Sequence, residues 1–142
     1  MEERKKEKSC GIIVFDDQKR VLMVKHKEGH YGFPKGHVEP NETEEETALR
    51  EVKEETNCDV TIIPGFREEN KYSPKENVDK TVVFFVGRPT SFSIKNQESE
   101  TDFAGFVSLK ESYNLLKDFQ DVVDILEKAE RFIEKENKND RD

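Results

Sequence analysis

The segment that decides the fold runs from residue 36 to residue 58 and reads GHVEPNETEEETALREVKEETNC. Its second half predicts a helix over residues 43–56. Thr43 followed three residues later by Glu46 is a capping-box pattern, which marks the start of a helix. Asn57 predicts the end, because asparagine tolerates the left-handed conformation on which helices commonly finish.

Three carboxylates share one face of this predicted helix. With Glu51 at zero on a helical wheel, Glu55 lies near about +40° and Glu54 near about −60°. Beside them lies an apolar face that can pack on a sheet, formed by Ala48, Leu49 and Val52. Like charges at this spacing repel one another. The cluster therefore favours a site for hard divalent cations, which bind carboxylate oxygens.

The negative charge of the chain is concentrated in this region. The formal net charge is −8, and residues 39–55 contain eight acids and two bases, a local net charge of −6. On charge density alone, an exposed acidic helix that only keeps the protein in solution remains an alternative. Binding of duplex nucleic acid needs a basic face, and the sequence shows none.

The length and composition of the chain indicate one folded domain. It has 142 residues, of which 32% are hydrophobic and 39% charged, and ten Phe and three Tyr supply apolar area for a modest core. The apolar runs at 11–15 and 82–86 are too short to cross a bilayer, and no signal peptide is evident. Two cysteines, Cys10 and Cys58, make no disulfide framework, so we expect a cytoplasmic protein with reduced thiols and no membrane contact.

The predicted elements alternate between strands and helices. Strands are predicted at 9–15, 21–25, 59–66, 80–88 and 103–109, with loops at 28–36 and around Tyr72. A final helix carries one apolar face, formed by Phe119, Val122, Val123, Leu126, Ala129 and Phe132. We predict one α/β domain over residues 9–133, between charged tails at 1–8 and 134–142.

The segment that begins at Gly36 resembles the Nudix box, Gly-x5-Glu-x7-Arg-Glu-U-x-Glu-Glu-x-Gly-U, where U is aliphatic. Glu42 and the run from Arg50 to Glu55 stand at the matching spacing, and two departures occur at the end, Asn57 for Gly and Cys58 for an aliphatic residue. The resemblance implies a Nudix-type α/β/α sandwich with a mixed β-sheet.

The resemblance also implies hydrolysis of a substituted nucleoside diphosphate with Mg²⁺ or Mn²⁺. Glu51, Glu54 and Glu55 would be metal ligands, and one of them or a nearby carboxylate would deprotonate the attacking water. Arg50 would orient the acidic side chains, and Glu42 would tie the preceding loop to the helix. A later loop would supply a further ligand, for which Glu100 is the candidate and Glu98 the second choice.

Outside the box, residues 33–40 (FPKGHVEP) resemble asymmetrical diadenosine tetraphosphate hydrolases of this family, and the resemblance covers residues 9–127. It implies asymmetrical cleavage to ATP and AMP by a monomer that binds a small dinucleoside polyphosphate. Such a substrate needs counter-charges and stacking groups. The candidates are Lys35 and Lys80 for charge, His30 for a bridging phosphate and Tyr72 for an adenine, with Phe103 as the nearest second aromatic because Ala104 stands where relatives carry Tyr.

Alternatives remain open at this point. His30 also fits an ordinary loop histidine, Tyr72 a loop anchor, and the lysines surface residues. Other Nudix enzymes act on diphosphoinositol polyphosphates, RNA 5′ ends or noncanonical nucleotides. A non-catalytic nucleotide sensor of the same fold would be expected to lack Glu54 or Glu55, and both are present.

Overall fold

The computed structural model describes residues 3–26, 29–91 and 101–140 of the chain. Eight strands and three helices follow one another in these segments. They are β1 (Lys5–Val14), β2 (Val21–His26), β3 (Tyr31–Gly32), β4 (Lys35–His37), α1 (Glu44–Thr56), β5 (Val60–Ile62), β6 (Glu68–Tyr72), β7 (Val78–Pro89), β8 (Thr101–Val107), α2 (Leu109–Leu116) and α3 (Gln120–Asp140).

The strands form two sheets, and the larger one is mixed. Its order is β4-β1-β7-β5, with β6 also paired to β7. β1 and β7 run parallel from the pair Lys5 and Val78 to the pair Val14 and Gly87, whereas β4, β5 and β6 pair antiparallel with their neighbours. The smaller sheet has the order β3-β2-β8 and is antiparallel.

The large sheet lies between two helical layers because its side chains alternate between two faces. Ile12 and Val83 pack on one face with Ala48 and Val52 of α1. On the other face, the sheets pack against helices α2 and α3 and form a second core. The sheets contribute Ile13, Val82, Phe84, Val86 and Met23 to this core. The helices contribute Leu116, Ile125, Leu126, Ala129 and Ile133. The α/β fold with a mixed sheet is therefore confirmed.

Helix α1 begins and ends where the sequence predicts. Thr43 is the N-cap, its hydroxyl accepts a hydrogen bond from the Glu46 amide, and the Glu46 carboxylate accepts one from the Thr43 amide. Asn57 ends the helix in the left-handed conformation with φ of 61°. Both caps are local in sequence, which explains why they could be predicted.

Both predicted tails are shorter than expected. β1 begins at Lys5, and Arg4 forms a two-fold ion pair with Asp79, at 2.6 and 2.9 Å. At the other end, α3 continues to Asp140, and Ile133 is fully buried. Residues 5–8 thus lie in a strand that pairs with β7, and residues 134–140 lie in a helix in which Asn137 accepts a hydrogen bond from Arg88 at 2.7 Å.

Three further elements differ from the sequence prediction. The segment around Tyr72 is the end of strand β6, and residues 28–36 contain strand β3 and the start of β4. A separate helix, α2, precedes α3. The strands among these elements have no clear apolar period, whereas in α2 the residues Leu109, Tyr113 and Leu116 recur at helical spacing. No helix in the described segments is long and apolar enough to cross a membrane.

Candidate active site

Arg50 organises the acidic face of α1. One terminal nitrogen, Nη1, donates to Oε1 of Glu51 at 2.7 Å and to Oε2 of Glu54 at 3.2 Å. Glu55 is 3% exposed, whereas the side chain of Glu54 is 50% exposed. The three carboxylates thus follow one face of the helix from the core to solvent, and two of them contact one guanidinium.

The same guanidinium joins the helix to the loop before it. Nε and Nη2 of Arg50 donate to the two carboxylate oxygens of Glu42, at 2.7 and 3.0 Å, and Nη2 also donates to the His37 carbonyl at 2.9 Å. The hydrogen bonds from Arg50 lower the pKa of Glu42 to about 2, and the Glu39 amide and Thr47 hydroxyl act in the same direction. Arg50 therefore fixes the loop, the helix and two carboxylates together.

The donor set suits a hard divalent cation, since it consists of carboxylate oxygens. Gly36 makes room for the Glu51 carboxylate, because a Cβ at position 36 would lie 2.0 Å from Cδ of Glu51. In the described segments, however, no three His, Cys, Asp or Glu side chains converge in metal-ligand geometry. Glu51 and Glu54 point to Arg50, and the predicted ligands Glu100 and Glu98 lie outside the described residues.

Strand β4 separates this acidic face from a cleft on the opposite side of the sheet. Gly36 faces Glu51, whereas its neighbour Lys35 lines the cleft, as the alternation of a strand requires. Lys35 pairs with Gly11 of β1, where a Cβ would lie only 2.3 Å from the Pro34 carbonyl oxygen. The close approach of β4 to β1 therefore depends on glycine at position 11.

The cleft has a volume of about 760 Å³. It is lined by strands β3, β4, β6 and β7 and by the connection between α2 and α3. Three predicted substrate-binding residues, His30, Lys35 and Tyr72, line it together although they are distant in sequence. Tyr72 is 42% exposed, so its ring is open to a ligand.

Lys80 lies on the cleft face of β7, directly across from Tyr72 of β6 and beside Glu7 of β1. It is 9% exposed. Burial and the neighbouring Lys35 lower the pKa of its ammonium group, which Glu7 partly offsets. Lys80 forms no hydrogen bond or ion pair with any residue in the described segments. A buried cation of this kind is suited to binding an anion.

Phe103 does not occupy the predicted place opposite Tyr72. It lies on β8, outside the residues that line the cleft, and its ring makes a T-shaped contact with the ring of Tyr31, with centroids 6.3 Å apart. The cleft instead contains Phe119, which is 45% exposed. The apolar pattern of the sequence predicts Phe119 on the last helix, but α3 begins one residue later. Charged Lys117 and Asp118 before it are the signal that could have indicated a break.

Comparison with known proteins agrees with this architecture. A model of the NUDIX domain matches residues 5–128. The bis(5′-nucleosyl)-tetraphosphatase [asymmetrical] of Mus musculus is 30% identical over 141 residues, covering 89% of this chain and 95% of the relative, and that of Sus scrofa is 31% identical with the same coverage. The crystal structure of a C. elegans Ap4A hydrolase binary complex superposes with a TM-score of 0.82 at 22% identity, covering 91% of this chain and 98% of that one.

Proposed function

Because this chain belongs to the Nudix family of hydrolases, we propose that it is an asymmetrical bis(5′-nucleosyl)-tetraphosphatase, which converts diadenosine tetraphosphate and water to ATP and AMP. The relatives that carry this name align over nearly their whole length. The observation that carries the proposal is the cleft, which combines exposed aromatic rings with Lys35 and lies across one strand from the carboxylates of α1. Lys80 is not among the residues that line the cleft, but it lies on the same face of the sheet.

One adenine binds between the aromatic side chains of the cleft. Tyr72 and Phe119 both line it and are 42% and 45% exposed, so their rings offer free surface for stacking. Stacking of one base on an aromatic side chain contributes about 1–3 kcal/mol. His30 lies 6.2 Å from the Phe119 ring, measured between centroids, and would hydrogen-bond a bridging phosphate.

The lysines bind the phosphate chain, which carries several negative charges. Lys80 is nearly buried and makes no ion pair with the described residues, while Lys35 lines the cleft from β4, which β1 separates from the strand of Lys80. An anionic ligand would compensate the burial of Lys80 and reduce its repulsion by Lys35. The acidic face of α1 would otherwise repel this substrate.

The carboxylates of Glu51, Glu54 and Glu55 would hold Mg²⁺ or Mn²⁺, with Glu100 as a further ligand. When bound, the cation supplies polarisation of phosphoryl oxygens and a lower pKa for the attacking water. Arg50 positions Glu51 and Glu54 through its hydrogen bonds, at 2.7 and 3.2 Å. Gly36 leaves the space that the Glu51 carboxylate occupies.

In the proposed reaction, the oxygen of water bonds to the phosphorus that carries one adenosine. The bridging P–O bond to the next phosphate breaks, so that AMP and ATP separate. One of the α1 glutamates accepts the proton that the water loses. The exposed position of Glu54, with 50% of its side chain in solvent, makes it accessible for this exchange.

The first experiment incubates the purified protein with Mg²⁺ and diadenosine tetraphosphate and separates the nucleotides by chromatography, with Glu54→Gln in parallel. Equal ATP and AMP, lost in the variant, support the proposal. Formation of two ADP overturns the asymmetrical cleavage. No product here, together with turnover of diphosphoinositol polyphosphates or RNA 5′ ends, overturns the substrate assignment and leaves the acidic site in place.

The proposal also includes a monomeric chain that acts in the cytoplasm. The two cysteines support the cellular location, because both are buried as free thiols. Analytical ultracentrifugation measures the oligomeric state, and cell fractionation measures the location.

A further inference from the structure

We propose that Tyr31 and Phe103 form a binding surface for the second base of the dinucleotide, outside the cleft that holds the first. This surface, the Tyr31–Phe103 platform, rests on the proposed function because only a two-base substrate can occupy both places. It reassigns Phe103 from the inner base to the outer one.

The distribution of exposed apolar side chains points to this surface. The described residues include four large hydrophobic side chains that are exposed: Leu49, Tyr72, Phe103 and Phe119. Tyr72 and Phe119 line the cleft and are assigned to the first base. Phe103 is 38% exposed on β8, an apolar surface that the fold leaves uncovered beside the cleft.

The platform is continuous with the cleft through one residue. Tyr31 lines the cleft, and the edge-to-face contact with Phe103 extends the aromatic surface beyond it. Phe103 lies over Gly105, where a Cβ would stand 3.0 Å from Cζ of the ring. The far end of the ring therefore rests on the strand, and Phe103 as a residue stays 38% exposed, which leaves part of its ring accessible to a planar group.

A positive charge stands next to the platform. Lys25 of β2 pairs with both Tyr31 of β3 and Phe103 of β8, so its side chain lies between the two on one face of the small sheet. Its Nζ is 5.7 Å from the centre of the Tyr31 ring. A planar base with an adjoining phosphate matches this combination of aromatic surface and ammonium group. An aliphatic ligand would contact only the aromatic surface.

The test compares two ligands that differ in one nucleoside, diadenosine tetraphosphate and adenosine 5′-tetraphosphate. In the variant Phe103→Leu, we expect the KM and Kd for the dinucleotide to rise roughly tenfold, and those for the mononucleotide to change less than about twofold. Phe119→Leu is the matched control, because it removes an aromatic face from the inner base and should weaken both ligands alike. Calorimetry supplies Kd for any ligand that is not hydrolysed.

A second variant, Gly105→Ala, shifts the Phe103 ring without changing its chemistry. It should weaken the dinucleotide selectively, and thermal unfolding shows whether each variant remains folded. Equal losses for both ligands in Phe103→Leu, or no loss for either, overturn the platform. Failure of the wild-type protein to hydrolyse diadenosine tetraphosphate overturns the proposed function instead, and the Kd comparison still decides the platform.

Discussion

The charged side chains on the two sides of strand β4 differ in whether they are paired. On the α1 side, Arg50 donates hydrogen bonds to three carboxylates, those of Glu42, Glu51 and Glu54, and holds the acidic face in one arrangement. On the cleft side, Lys80 is nearly as buried as a core residue and yet forms no ion pair in the described segments. On one side a single arginine holds several carboxylates, and on the other side a lysine retains a positive charge with no ion pair in the described segments.

This difference separates two ways of preparing for a charged ligand. The acidic face is prearranged, so a cation that binds there must compete with Arg50. On the cleft side, Lys80 is desolvated and repelled by Lys35, and an anion that binds there would offset both costs. We therefore expect substitutions on the α1 side to affect mainly the rate and those on the cleft side mainly the affinity, and the following predictions test this division.

The largest effect is expected from Glu54→Gln. Loss of one proposed ligand charge should lower kcat by at least about 100-fold, because cation-assisted activation contributes several kcal/mol to the barrier. Steady-state kinetics with Mg²⁺ measure it. Glu45→Gln makes the same charge change at an exposed position of α1 and should retain activity. Similar losses in both variants would contradict a specific role of Glu54.

A smaller effect is expected from Lys80→Met. We predict that KM for diadenosine tetraphosphate rises roughly tenfold, because a charge-assisted contact to phosphate is lost. The free energy of unfolding should stay the same or increase, since a desolvated ammonium next to Lys35 is replaced by an apolar side chain of similar length. Denaturant titration measures stability. A destabilised variant with unchanged KM would place Lys80 among structural residues.

Glu7→Gln should change affinity in the opposite direction. Glu7, Lys80 and Tyr72 lie side by side on three neighbouring strands, so the Glu7 carboxylate weakens the positive field of the cleft. Removing its charge should lower KM by roughly threefold at low salt, and less at high salt.

Glu69→Gln is the control for Glu7→Gln, because Glu69 alternates to the other face of β6 and forms an ion pair with Arg67 at 3.1 Å. The same decrease of KM in both variants would show a general charge effect rather than a local one.

The smallest effect concerns stability at low pH. Hydrogen bonds from Arg67 hold the pKa of Glu44 at about 2, below the ordinary 4.5, so this carboxylate stabilises the fold above about pH 4.5 and loses that contribution as the pH falls toward 2. Arg67→Gln should therefore lower Tm by a few degrees at pH 6 and much less at pH 2.5. Arg131→Gln, at an exposed position of α3, should show no such pH dependence.

Features that depend on residues close together in the sequence could be predicted, and features that depend on distant residues could not. The caps of α1 were predicted correctly because Thr43, Glu46 and Asn57 act within a few residues. The extension of β1 to Lys5 could not be predicted, because Lys5 pairs with Val78, which is distant in the sequence. Strand β6 was also missed, since its EENKY sequence carries charges on an edge of the sheet and shows no apolar alternation.

The candidate site divides in the same way. Glu51 lies within one motif and could be assigned from spacing to the helix that carries it, whereas Lys35 lies on strand β4 and not in the predicted loop. That Lys35, Tyr72 and His30 line one cleft follows only from sheet pairing, which spacing does not reveal. Phe119 was misplaced because an apolar residue one position before a helix fits the same periodic pattern as its first turn.

The parallel pairing of β1 with β7 also sets an order of events during synthesis. Because Lys5 pairs with Val78, the apolar segment 10–15 stays without strand β7 for several seconds at a synthesis rate of about 5–20 residues per second. Such a segment is prone to aggregate, and charged residues flanking it act as gatekeepers. Lys5, Lys6 and Lys8 stand immediately before it. The charged start of β1 thus protects the unfinished chain before it becomes part of the sheet.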